Sequence, residues 1–341
     1  MLSRGELRLG VAGLGGMGLV HVANAVSSQG VRLAAVASAR AGRAEEVASS
    51  LGVRACRYEE LFEAADVDAV VLAARSVDHA PLGCAVLEAG KHLFLEKPGA
   101  TSLAEHDTLR VAAAARPELV VQVGYHRRYD ASFVEARRRV AEGAIGEPLV
   151  VLATSRDTEW PEGELPADTG GFLLDMAVHD YDAACWFLGQ EPVEVHALRQ
   201  ALVYPELETL GDLDNGVVTA RFDGGGLATT HVSRTCAFGH DIRCEVVGTE
   251  GSILVGNAAS RAGVTVVGRA ARAEFPHDFR ERFADAYRAE LAAFAAACLG
   301  EGEAGPGLDD DRRAVAIGVA ARASAVAGRP LAVGHDWPWP S

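Results

Sequence analysis

Residues 7–18 read "LRLGVAGLGGMG": an apolar run, then Gly13-x-Gly15-x-x-Gly18, then the opening of a helical pattern. A strand passing into a helix through glycines at this spacing is the fingerprint of a dinucleotide-binding turn. The first glycine permits the tight turn, the second lets backbone approach a pyrophosphate, and the third lets helix and strand pack closely. The helix N-terminus, with the backbone of Gly15, Gly16 and Met17, then faces the phosphates. Alone, the motif is weak in a chain with 37 glycines. Its place at the head of a βα series gives it weight.

That series runs outward from the glycines. "VRLAAVAS" (31–38), "DAVVLAA" (68–74), "HLFLEKP" (92–98) and "LVVQVGY" (119–125) are continuous apolar runs, as expected of parallel strands covered on both faces. Helical patterns lie between them at 16–29, 41–51, 78–90 and 102–115. The spacing predicts a doubly wound parallel sheet, a Rossmann domain over residues 1–125. After Glu147-Pro148 the texture changes to short strands set apart by Gly, Asp and Asn, such as "GVVTARFDG" and "LATTHVSRT". Residues 126–341 are therefore read as an α+β domain with a mostly antiparallel sheet. Ala-rich helices are expected at 278–299 and 309–327, able to pack back on the first domain, with Asp309 to Asp311 in the first turn of the second. The tail "DWPWPS" is too proline-rich for helix and is expected on the surface.

The 341-residue chain carries 47 acidic against 32 basic residues, a net charge of −15. Such a chain repels nucleic acid and anionic membranes. No segment approaches the ~18 apolar residues of a membrane span, and the N-terminal apolar run is too short for a signal peptide. The six cysteines are scattered without a C-x-x-C pair, which reads as a reduced, cytoplasmic protein. No His/Cys/Asp spacing argues for a metal.

Three features carry chemistry. The second strand ends at Ser38, where an NAD-selecting acid would stand, with Arg40 and Arg43 close behind. A hydroxyl and arginines suit a 2′-phosphate, so the reading leans to NADP, with NAD bound through other contacts as the alternative. The strand 92–98 ends in Glu96-Lys97-Pro98, charged residues at the carboxyl end of a parallel strand, where open α/β sheets bind ligands; Pro98 is a candidate for a cis bond. Finally, "GGFLLDMAVHDYDAACW" (170–186) places Asp175, His179 and Asp182 along one face of an otherwise apolar helix. Taken singly, each is more commonly a solvated or plainly paired residue.

Glycine loop, Glu96-Lys97-Pro98 and "GGFLLDMAVHDYD", in that order, resemble the glucose–fructose oxidoreductase/inositol dehydrogenase (Gfo/Idh/MocA) family. "VQVGYHRRYD" (121–130), "SRDTEWP" (155–161), "FGHDIRCEVVGTEGSI" (238–253) and "RFADAYRAELAAF" (282–294) are similar to its inositol 2-dehydrogenase branch. The resemblance implies a nicotinamide cofactor, oxidation of a secondary alcohol of a cyclitol or sugar, and a large, open sheet in residues 126–341, the substrate-binding and oligomerisation domain, through whose faces a homotetramer forms. It puts the catalytic lysine, aspartate and histidine on Lys97, Asp175 and His179. It puts substrate contacts on Arg127 and Asp157, an aromatic loop contact on Phe238 or His240, and a kept cofactor-side histidine on His79. Glu96 would orient Lys97, and Asp182 would support His179 or cap a neighbouring group; His21, His126, Arg128 and His231 are read as structural or peripheral. Myo-inositol 2-dehydrogenase is the best single reading, with a sugar ketoreductase as its alternative. A catalytically silent regulator would be expected to lack Lys97 or His179, and both are present.

Overall fold

The computed structural model describes residues 5–160, 166–256, 265–267, 270–272 and 276–337. The chain forms two compact units, residues 1–126 with 285–312, and residues 127–284 with 313–341.

The first unit alternates strand and helix: β1 (Leu7–Ala12), α1 (Gly16–Ser27), β2 (Val31–Ala37), α2 (Arg43–Leu51), β3 (Arg54–Cys56), α3 (Tyr58–Phe62), β4 (Ala69–Leu72), α4 (Ser76–Glu88), β5 (His92–Leu95), α5 (Leu103–Ala114) and β6 (Val121–Val123). The strands form one sheet in the order β3-β2-β1-β4-β5-β6, every pair parallel. This is the Rossmann order, with its switch point between β1 and β4. Leu9, Val11, Val70, Val71, Leu93 and Phe94 are all fully buried, as strands covered on both faces require. The third strand is absent from the pattern reading: "RAC" is three residues long, and Arg54 is exposed. The register pairs Ala12 with Leu72 and Leu72 with Leu95, so the glycine loop and the Glu96-Lys97 turn leave the same edge of the sheet.

The second unit opens with a 3-10 turn (His126–Tyr129) and α6 (Ala131–Ala141), followed by β7 (Pro148–Arg156). Next come α7 (Pro166–Thr169), α8 (Phe172–Asp175), α9 (Val178–Leu188), β8 (Pro192–Gln200), α10 (Glu206–Thr209), β9 (Asn215–Phe222), β10 (Leu227–Ser233), β11 (Asp241–Gly248) and β12 (Ser252–Val255). A short pair, β13 (Thr265–Val267) and β14 (Ala270–Arg272), precedes α11 (Phe279–Cys298), α12 (Leu308–Ala327) and β15 (Leu331–Ala332). The main sheet runs β12-β11-β7-β10-β9-β8-β15 and is antiparallel except where β10 pairs with β7. β9 alternates buried and exposed positions, the signature of a sheet with one covered face. α11 bends at Phe283, just before the point where the chain passes into the first unit. Of the tail, Trp337 donates its indole N–H to the Ala332 carbonyl (3.2 Å); residues 338–341 lie outside the described residues.

The single helix expected over 170–186 is two helices, α8 and α9, with Met176 and Ala177 between them. The Asp180 amide bonds to Ala177 three residues back (2.9 Å), so the second helix starts afresh instead of continuing the first. No helix among the described residues is long and apolar enough to cross a membrane.

Candidate active site

The glycine loop is shaped by contacts that a side chain would destroy. Gly13 has φ +96°, and a Cβ there would lie 2.2 Å from the Ala73 carbonyl oxygen; a Cβ on Gly18 would lie 1.9 Å from that of Gly13. Gly15 faces open space, with nothing within 4 Å of a Cβ. It caps α1 without a side-chain hydrogen bond, and no acid stands in the first turn. The uncapped amides and the positive end of the helix fit a pyrophosphate. At the end of β2, half-buried Ser38 accepts a hydrogen bond from the Arg40 amide (3.1 Å), and the Arg40 side chain is exposed. Arg43 is turned toward Glu46 (2.8 Å) and the Leu14 carbonyl (3.4 Å).

Every residue of the Glu96-Lys97-Pro98-Gly99 turn is tied down. The Glu96 amide donates to the Leu72 carbonyl (2.9 Å), extending the β4–β5 ladder. The Lys97 amide donates to Glu96 Oε2 (3.2 Å), and the Lys97–Pro98 peptide is cis. The Pro98 carbonyl faces His79 Nδ1 (2.8 Å), whose Nε2 faces the Ala74 carbonyl (3.1 Å). Burial pushes the His79 pKa down, so the ring is neutral and one nitrogen at a time donates. His79 thus sits as a buried brace of the turn. The Gly99 amide donates to Asp311 Oδ2 (2.9 Å). Asp311, fully buried, also accepts from Tyr125 Oη (2.6 Å) and His106 Nε2 (2.8 Å). Lys97 itself is half-buried.

In the second unit, Asp175 ends α8 and His179 lies in the first turn of α9; Asp175 is half-buried and His179 buried. α8 is held at its start by Asp212, whose Oδ1 accepts the Phe172 amide (3.0 Å), while the Arg234 guanidinium stacks on the Phe172 ring (3.9 Å) and lies 3.6 Å from Asp212 Oδ2. Burial pushes the Asp212 carboxyl up; Arg234 opposes this and the nearby Asp175 charge adds to it. Asp182 pairs with Arg128 through two bonds (2.6 and 3.0 Å), and Arg128 lies over the Trp186 ring. Arg127 is buried, its guanidinium bonded to Asp180 and to Ser155 (2.8 Å). At one end of the sheet, buried His240 Nδ1 meets Asp157 Oδ1 (2.7 Å), whereas Phe238 is 56% exposed. Pattern reading missed Asp311, Asp212 and Arg234. Asp311 looked like one more acid in a helix's first turn, and nothing local marks the other two.

Two family profiles cover most of the chain. One, described as an oxidoreductase family with an NAD-binding Rossmann fold, matches residues 7–125; the other, the Gfo/Idh/MocA C-terminal domain, matches residues 133–254. Among curated relatives, scyllo-inositol 2-dehydrogenase (NAD(+)) of Bacillus subtilis is 34% identical over 330 residues, 96% of each chain. Myo-inositol 2-dehydrogenase of Thermotoga maritima is 34% identical across 93% of this chain and 96% of its own. Among solved structures, scyllo-inositol dehydrogenase of Lactobacillus casei, with NAD(H) and scyllo-inositol bound, gives a TM-score of 0.88 at 26% identity and covers 96% of this chain and 99% of that one. A Rossmann sheet with an uncapped glycine loop, a lysine on a braced turn and an aspartate–histidine helix junction thus coincide with both profiles, and the chain belongs to the Gfo/Idh/MocA family of NAD-binding oxidoreductases.

Proposed function

We propose that the protein oxidises a secondary alcohol of a cyclitol, with myo-inositol at C2 as the best single substrate. The observation that carries this reading is the Lys97 turn: a cation half-buried on a backbone fixed at every residue, next to a glycine loop shaped for a dinucleotide. The names of the relatives, myo- and scyllo-inositol dehydrogenases, supply the substrate class.

The glycine loop, Gly13 to Gly18, would hold the cofactor pyrophosphate, with Ser38 and Arg40 at the adenosine ribose and His79 and Glu96 bracing the nicotinamide side. When bound, the nicotinamide would supply the hydride acceptor for oxidation at the carbinol carbon. His179 takes the hydroxyl proton, since an imidazole's ordinary pKa (about 6.5) lies close to neutral pH. Lys97 donates a hydrogen bond to the same oxygen and stabilises its developing charge. Asp175 holds a neighbouring hydroxyl, and Asp157 with His240 supplies a second polar contact. Ser38 and Arg40 favour NADP, and that cofactor favours the second reading, a sugar ketoreductase working in the reducing direction.

One sheet face exposes Leu152, Leu198, Val217 and Leu227, of which the strand register pairs Leu198 directly with Val217. We infer that further copies of the chain cover it in a homotetramer, which light scattering of the purified protein tests. Six free thiols suit the cytoplasm.

The deciding assay is nicotinamide reduction with myo-inositol, run with NAD and with NADP, for the wild type, Lys97→Ala and His179→Ala. The expected loss is about 100-fold or more in kcat for each variant, with cofactor affinity nearly intact. Retained turnover in either variant removes that residue from the mechanism.

A further inference from the structure

His21 lies on α1, the helix that leaves the glycine loop, and the proposed reaction leaves it unused. Its ring is fully buried, packs edge-on against Phe94 (5.0 Å between centroids), and brings Nε2 to 2.6 Å from Glu96 Oε1. The other oxygen of the same carboxyl, Oε2, accepts the Lys97 amide. One carboxylate therefore joins the helix of the glycine loop to the backbone of the lysine. The space around it is closed: a Cβ on Gly124 would come within 3.1 Å of the Glu96 carboxyl. Glu290, on α11, adds a second carboxyl nearby, fully buried, with neither oxygen hydrogen-bonded among the described residues. Burial, and then the Glu96 charge, push the Glu290 pKa well up.

A buried carboxylate deprived of its donor takes the nearest cation. For Glu96 the cation adjacent in sequence is the Lys97 ammonium. We propose that His21 is a positioning residue for Lys97: by donating Nε2–H to Glu96 it holds the carboxylate on the Lys97 amide and keeps the ammonium available to the substrate oxygen. This rests on Lys97 being the group that meets that oxygen.

The test compares His21→Gln, whose amide nitrogen reaches the Nε2 position, with His21→Asn, whose amide stops near Nδ1, and includes Lys97→Ala. The readouts are kcat and KM for myo-inositol with NAD, the primary isotope effect with C2-deuterated myo-inositol, NAD affinity by fluorescence, and Tm. His21→Asn is expected to lose about 10- to 100-fold in kcat, with KM nearly unchanged and a larger isotope effect. His21→Gln is expected to lose clearly less, with NAD affinity and Tm matched between the two. Equal kcat in the two variants at equal Tm overturns the proposal, as does a loss that follows NAD affinity. If Lys97→Ala keeps wild-type turnover, the assignment of Lys97 itself fails. If Lys97→Ala is inactive while both His21 variants match wild type, only the role of His21 fails. Should His21→Asn not fold, the imidazole nitrogen NMR signals of the unmutated, cofactor-free protein decide: an Nε2-protonated tautomer supports the proposal and an Nδ1-protonated one overturns it.

Discussion

Replacing Asp311 by alanine removes the acceptor of three buried donors at once: the Gly99 amide, His106 Nε2 and Tyr125 Oη. Each orphaned donor costs about 1–3 kcal/mol, and breaking a buried charged cluster typically costs about 3–5, so about 4 kcal/mol is the working figure. In a unit of this size that corresponds to a fall in Tm of about 8–16 °C. Asparagine is a different case. Its Oδ1 can take the two donors that Asp311 Oδ2 now holds, and its amide can donate to the Tyr125 hydroxyl, which is able to accept. Asp311→Asn is therefore expected to cost only about 1–2 kcal/mol. A double-mutant cycle completes the test: Tyr125→Phe, costly alone, costs clearly less beside Asp311→Ala. Calorimetry of the four proteins measures this. A cost below about 1 kcal/mol for Asp311→Ala, or an undiminished Tyr125→Phe cost in its presence, refutes the argument.

Glu290 makes a prediction whose sign is fixed by burial. Its folded pKa lies above the unfolded value, so folded protein holds a proton that unfolded chain gives up. The stability this group contributes is full below the ordinary glutamate value of about 4.3 and is lost as pH rises, by up to about 1.4 kcal/mol per pH unit, until the folded pKa is passed. Glu290→Gln is expected to remove that slope and to raise the urea midpoint at neutral pH; parallel pH curves for wild type and variant would sink the reading. Ser38→Asp with Arg40→Ala is expected to raise the ratio of NAD to NADP kcat/KM by about 100-fold, two charged contacts each changed by about 1.4 kcal/mol. An unchanged ratio, from initial rates, shows that other groups select the cofactor.

What could be read from residue order was whatever depends on neighbours in sequence. The glycine loop is legible because the clash of a Cβ on Gly18 with the Gly13 carbonyl involves residues only five apart in the chain. β9 is legible because alternate positions face alternate sides. The strand ending in Glu96-Lys97 reads too long because the charged turn continues an apolar run without a break; the strand itself ends at Leu95. β3 escapes notice because three residues carry no period. Asp311 and His21 escape because their partners lie far along the chain: Asp311 meets Tyr125, 186 residues before it, and His21 meets Glu96, 75 residues after it. A residue's burial is a property of its neighbours in space, and the sequence spacing of an acid or a histidine does not contain it.

Arg127 shows how the two kinds of information can be set against each other. Likeness to the inositol branch points to a substrate contact, whereas the structure leaves the side chain 3% exposed between Asp180, itself fully buried, and Ser155. The two readings predict opposite responses to Arg127→Met. As a substrate contact, its loss raises KM for myo-inositol and leaves Tm alone. As the counter-charge of Asp180, its loss strands a buried carboxylate with, among the described residues, the Ser155 hydroxyl (2.8 Å) as its remaining side-chain partner, at about 3–5 kcal/mol, or about 6–20 °C in Tm. A second substitution separates the two without appeal to size. Adding Asp180→Asn removes the stranded charge, so under the structural reading the double variant recovers much of the lost Tm, since exchanging both members of a buried pair costs far less than removing one. Under the substrate reading, Asp180→Asn has nothing to repair, and KM stays as high in the double variant as in the single.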